Sequence, residues 1–208
     1  MNMRIPQQLA AAIDNAAASI SQDGELPASE RKVILVTIEE LSKVEHSNAG
    51  YLRRARLAIT CAKEVLRHMS PYENVLESAR LMLAHGVAAL TGNYEFKVLQ
   101  KENGAFHTKV VDLLSQGETA FVATYAGMTV FSAINTVLYD TNFDLIGLDA
   151  KSVDPDDWDV GYYGSLAASG SAIWEAKGGA ESRRVYWTWY LKAAIPFAWD
   201  VQSQLDRP

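Results

Sequence analysis

The chain has 208 residues, 49% apolar and 21% charged, with a net charge of −6 and a single cysteine. Such a composition belongs to a globular protein and excludes disordered, collagen-like and rod-like chains, while the acidic balance argues against a surface built to neutralise nucleic-acid phosphates. The lone Cys61 forms no internal disulfide and cannot supply a multi-cysteine zinc site, which fits a reducing compartment.

Alanine makes up roughly one residue in seven, which favours helix because alanine loses no side-chain entropy on ordering. Residues 10–18 read as a small-residue helix, with Pro6 suited to its first turn, and Pro27 lies in a polar loop over residues 21–29. Residues 33–38 are β-branched enough for a strand, yet they run directly into a helical continuation, so a helix over 30–45 is expected. Residues 50–69 carry Leu52, Ala55, Ile59, Ala62, Leu66 and Met69 at steps of three and four, the mark of one apolar stripe. Arg53, Arg54, Lys63 and Arg67 fall to the other side. Arg53, Arg54 and Arg56 are read as a solvated face, in preference to internal ion-pair donors, because arginine is rarely buried without a partner.

Residues 71–90 repeat the pattern with Leu76, Ala79, Leu83, Val87 and Leu90, and stop at Thr91-Gly92. Residues 94–111 hold two readings. Asn103-Gly104 between alternating residues is a strong hairpin signal, whereas Phe96, Leu99, Phe106, Val110 and Leu113 also fit helical faces. Residues 118–138 are apolar on nearly every side and are expected to form the central buried helix. A long connection then carries Asp140, Asp144, Asp149, Asp154, Asp156, Asp157 and Asp159 against a single Lys151. Helical patterns resume over 158–176 and 181–201, the second with a kink expected at Pro196. No stretch reaches the ~18 uninterrupted apolar residues needed to span a bilayer, and residues 1–8 lack a basic segment followed by an apolar one, so a cytoplasmic chain without membrane contact is expected.

Catalytic machinery has little signature here. His46, His68, His85 and His107 are scattered, none pairs with another at helical spacing, and there is no glycine-rich phosphate loop or nucleophile elbow. Cys61 reads as a buried structural thiol and Glu39-Glu40 as a solvated helix face. Asp154-Pro155-Asp156-Asp157-Trp158 has the form of a helix start: an aspartate cap, proline at the first position, then acids at the positive end of the macrodipole. The same acids sit beside Trp158, Tyr162 and Tyr163, a combination suited to gripping a basic protein surface. Near Trp174, an ion pair between Glu175 and Arg183 or Arg184 is the plain structural expectation.

The segment 154–159, then Tyr162-Tyr163 and Ser165-Leu166-Ala167, then Trp174-Glu175, then Arg183-Arg184 with Tyr186-Trp187, Trp189-Tyr190-Leu191 and Ala194-Ile195-Pro196, resembles the immunity protein 5 family of bacterial polymorphic toxin systems. Leu52-Arg53-Arg54, Leu57-Ala58, Cys61-Ala62, Val65-Leu66 and Ser78-Ala79-Arg80 are similar to that family's first helical pair. The similarity covers roughly residues 51–199 of what is expected to be one helical domain, with residues 1–48 read as an additional helical pair outside it. The resemblance implies an all-α bundle of about seven or eight helices, without catalysis, metal or cofactor, that binds and neutralises a cognate toxin. A basic toxin such as a nuclease would suit the acidic surface. The candidate toxin-binding residues are Asp154, Asp156, Asp157, Trp158, Asp159, Tyr163 and Glu175. Two rival readings stand beside this one: a helical scaffold or regulator, and a metal-dependent enzyme whose site gathers His107, Asp140 and Glu175.

Overall fold

Proline and glycine punctuate the chain, and the apolar stripes between them fold as helices. The computed structural model describes residues 5–45, 48–143, 159–172 and 179–205. The first helix, α1, spans Gln7–Ala18 directly after Pro6, and α2 spans Ala28–Ser42 directly after Pro27. In α2 the buried Arg31, Ile34 and Ile38 recur at helical spacing while Val33 is 49% exposed, and Thr37 Oγ1 donates to Val33 O at 2.7 Å. That phase settles the segment as helix: in a strand, Val33 and Leu35 would share a face instead.

Next, α3 (Ala49–Val65) ends in a 3₁₀ turn over Leu66–Met69, and α4 (Glu73–Leu90) follows after a short turn containing Pro71. The segment with two readings is a helix, α5 (Phe96–Asp112), so the short β-hairpin near 94–111 does not form. Its Leu99, Asn103, Phe106 and Val110 are buried together on one face. Asn103, the residue that signalled a turn, instead donates from Nδ2 to Asn135 Oδ1 at 2.9 Å and Phe131 O at 3.3 Å on the next helix. A polar residue in a helix interior was given a partner, and that removed the hairpin's advantage.

The helix α6 (Phe121–Tyr139) runs through the middle, packed by α3, α4, α5 and the helix that begins at Val160. With its preceding turn it is the one described helix long and apolar enough to cross a bilayer, a property that a buried core helix shares. Small residues let its neighbours close in. A Cβ at Gly127 would meet Val110 Cγ2 at 2.6 Å, and one at Gly86 would meet Ile134 Cδ1 at 2.6 Å.

After residues 144–158 come α7 (Val160–Ser169), α8 (Ala180–Trp189), a π-helical turn over Tyr190–Ala194, and α9 (Ile195–Trp199). The expected helix over 158–176 stops early because Gly170 takes the left-handed conformation, φ 80°, and its N–H caps Leu166 O at 2.9 Å. The irregularity expected at Pro196 falls just before it, in the π turn, where the missing N–H of proline leaves the preceding ladder short of a donor. The described residues thus form an all-α bundle without a strand.

Candidate functional site

The arginines of α3 are the largest departure from the sequence reading. Arg53, Arg54 and Arg56 are 2%, 3% and 6% exposed, so the solvated face expected for them is overturned. Arg53 donates to both carboxylate oxygens of Glu45 at 2.8 Å, to Ser42 Oγ at 2.8 Å and to Trp199 O at 3.2 Å, with its guanidinium over the Trp199 ring. Arg54 bridges Glu39 of α2 and Asp140 at the end of α6, and also donates to Asp140 O. Arg56 reaches the carbonyls of Asp200 and Ser203. Buried guanidiniums persist when their forked donors are matched, and here carboxylates and backbone carbonyls match them. Glu39 is correspondingly drawn into this network, away from the solvated face expected of it, while Glu40 stays exposed and pairs with Lys43.

A cleft of about 430 Å³ opens between α3 and α6. Leu57, Ala58 and Cys61 form its apolar floor, Ser132, Asn135, Thr136 and Tyr139 one wall, and Arg54, Asp140 and Tyr190 complete it. Phe143 and Asp159 also line it, and these two residues bracket the acidic residues 144–158 in the chain. Burial raises the Asp140 carboxyl above its ordinary range, against the opposing pull of Arg54. Cys61, buried as expected, is pushed up to about 12 by burial, which keeps it a thiol and not a nucleophile. Tyr190 is likewise held protonated by burial.

Of the candidate toxin-binding residues, Asp154, Asp156, Asp157, Trp158 and Glu175 lie outside the described residues, as does an ion pair from Glu175. Within them the helix cap is Asp159: its Oδ1 accepts from Tyr162 N at 2.7 Å, and its Oδ2 accepts from Arg31 Nε at 2.8 Å. Tyr163 is half-buried on the first turn of α7, packed against Tyr162, Leu166 and Ala172. Arg183 pairs with Glu25, and both Arg183 and Arg184 donate to carbonyls of the loop between α1 and α2. Of the dispersed metal set, Asp140 is held by Arg54, His107 packs against the Phe131 ring, and Glu175 is outside the described residues. Among the described residues no three His, Cys, Asp or Glu side chains converge as metal ligands. His85 is instead bonded to Glu102 at 2.8 Å and stacked on Tyr94.

Arg31 and Glu25 escaped the sequence reading, in which Arg183 appears only as an expected partner of Glu175. One signal was available for Arg31: it is in helical phase with Ile34 and Ile38, where a solvated arginine does not belong.

No curated protein matches the chain. A family model described as Immunity protein Imm5 matches residues 13–197, a span that takes in the second half of α1, all of α2 and the cleft with its arginines, and so reaches further towards the N-terminus than residues 51–199. The buried arginines of α3 and the Asp159-capped start of α7 are therefore features of a chain that belongs to the Imm5 immunity protein family.

Proposed function

We propose that this protein binds a cognate bacterial toxin in the cytoplasm and neutralises it by occupying its surface, without turning over a substrate. The observation that carries this reading is the family match across residues 13–197. The net charge of −6 and the concentration of aspartates between Phe143 and Asp159 support a basic partner, such as a nuclease, because complementary fields raise encounter rates and disfavour wrong partners. The contact edge is Asp154, Asp156, Asp157 and Trp158, with Glu175 and Tyr163. Asp159 belongs to it as the fixed end: its two oxygens are already bonded to Tyr162 and Arg31, so its part is to moor the acidic residues that precede it.

Growth rescue tests this. The chain is co-expressed with candidate toxin domains taken from neighbouring genes. Wild type restores growth, and Asp156→Lys combined with Asp157→Lys, shown to be folded by circular dichroism, loses most of that protection. Full protection by the double variant would remove the acidic edge from the account, and no protection by wild type would remove the function.

A further inference from the structure

The cleft between α3 and α6 carries bonding capacity that the residues around it do not use. Leu57, Ala58 and Cys61 make its floor apolar, and its volume of about 430 Å³ accommodates one long side chain. Tyr190 lines it while only 3% exposed, and among the described residues its hydroxyl has no hydrogen-bond partner. A hydroxyl so placed is costly unless an occupant of the cleft bonds it. Tyr190 also opens the π turn, a helix irregularity that recurs at functional sites.

The charges at the rim do not balance. Two guanidiniums, Arg54 and Arg31, meet three carboxylates, Glu39, Asp140 and Asp159, which leaves one negative charge in excess. Behind Arg31, Glu25 and Arg183 add one charge of each sign and do not change that result. Burial holds the Asp140 carboxyl above its ordinary range in spite of Arg54, and Asp159 weighs more than Arg31 on the Tyr190 hydroxyl. A further cation entering the cleft relieves both. Tyr139, which is 58% exposed, also lines the cleft and supplies an aromatic ring of the kind that cations approach. An anionic occupant would be repelled by the same excess, and a wholly apolar one would leave the Tyr190 hydroxyl unbonded.

We propose, on the reading that toxin binding is the function, that this cleft receives a lysine or arginine side chain of the toxin: its stem lies on Leu57, Ala58 and Cys61, and its charged head bonds the Tyr190 hydroxyl oxygen and the carboxylates of Asp140 and Asp159. The acidic residues 144–158 attract any basic surface, whereas a recess of fixed shape accepts one side chain in one orientation, so the cleft supplies the specificity.

The first test needs no toxin. The full chain is titrated with n-butylguanidinium chloride and, separately, with its neutral isostere n-butylurea at matched ionic strength, while the backbone amide resonances are followed. The amides of Ala58, Cys61, Thr136 and Gly161 should shift saturably with n-butylguanidinium, and n-butylurea should bind at least about tenfold more weakly, the scale of hydrogen bonds to a charged group. Tyr190→Phe removes the unpartnered hydroxyl, so it should weaken n-butylguanidinium binding by about tenfold and leave the melting temperature in place, a separation that a merely structural Tyr190 would not produce. No saturable shift, which is the outcome if the chain's own residues fill the cleft, would overturn the proposal, as would equal response to the two probes or unchanged affinity in Tyr190→Phe. The second test is growth rescue by Thr136→Trp, which fills the cleft from α6 and is shown to be folded by circular dichroism. Protection should be lost, and full protection beside a protecting wild type would show that the toxin does not enter the cleft. Should Thr136→Trp fail to fold, Tyr190→Phe takes its place in the same assay. Failure of wild type to protect would remove the toxin from the proposal, while saturable n-butylguanidinium shifts would still establish the recess as a cation site.

Discussion

Helices α3 and α4 carry nearly the same sequence pattern, an apolar stripe at steps of three and four with basic residues beside it, yet they occupy different environments. In α4 the stripe Leu76, Ala79, Met82 and Leu83 is buried while Leu81 is 55% exposed and Arg80 faces solvent beside Glu73. In α3 almost every position is buried, arginines included. The difference lies outside both helices. Glu39 and Glu45 meet the α3 guanidiniums from the α2 side across a short connection, while Asp140 at the end of α6 and the carbonyls of Trp199, Asp200 and Ser203 arrive from distant parts of the chain. A charged residue marks solvent only when no partner is brought to it, and partners at such separations are invisible in a local pattern.

Substitutions that sharpen the contrast span a wide range. The largest effect is expected from Arg53→Ala, which strands Ser42 and Trp199 O and opens space over the Trp199 ring; a loss of about 4 kcal/mol in urea unfolding is expected. A loss under about 1 kcal/mol would show that the α3 network is ornamental. Asp159→Ala removes the α7 cap and the hydrogen-bonded partner of the buried Arg31, with an expected cost of about 2 kcal/mol, moderated because its side chain is 33% exposed. At the small end, Arg80→Ala in α4 should change stability by less than about 0.5 kcal/mol, since its ion pair with Glu73 is solvated. Equal costs for Arg53→Ala and Arg80→Ala would erase the distinction between the two helices.

The same reasoning shows why the fold was more legible than the site. Periodicity placed α4 and α6 closely, because both stripes are made of side chains that have nowhere else to go. The α5 segment stayed ambiguous because Asn103 has two stable uses, a turn or a buried bond to Asn135, and only the presence of α6 selects between them. The end of α7 depended on Gly170 adopting a left-handed cap, a signal present in Ser169-Gly170 but passed over for the longer pattern. At the candidate site, Asp159 was noticed for its charge, whereas its structural work is to cap Tyr162 and hold Arg31, a residue 128 positions earlier. Glu25 gave no local sign, because what distinguishes it is two guanidiniums that approach without donating.

The central claim, protection by association alone, is tested most directly by titration calorimetry of the purified chain with candidate toxin domains taken from neighbouring genes, followed by intact-mass measurement of both proteins. The account predicts saturable binding, both masses unchanged, and binding at least about tenfold weaker for the Asp156→Lys, Asp157→Lys double variant, the scale of losing charged contacts at an interface. An absence of binding heat at matched concentrations, or a covalent change in the toxin after mixing, would contradict it.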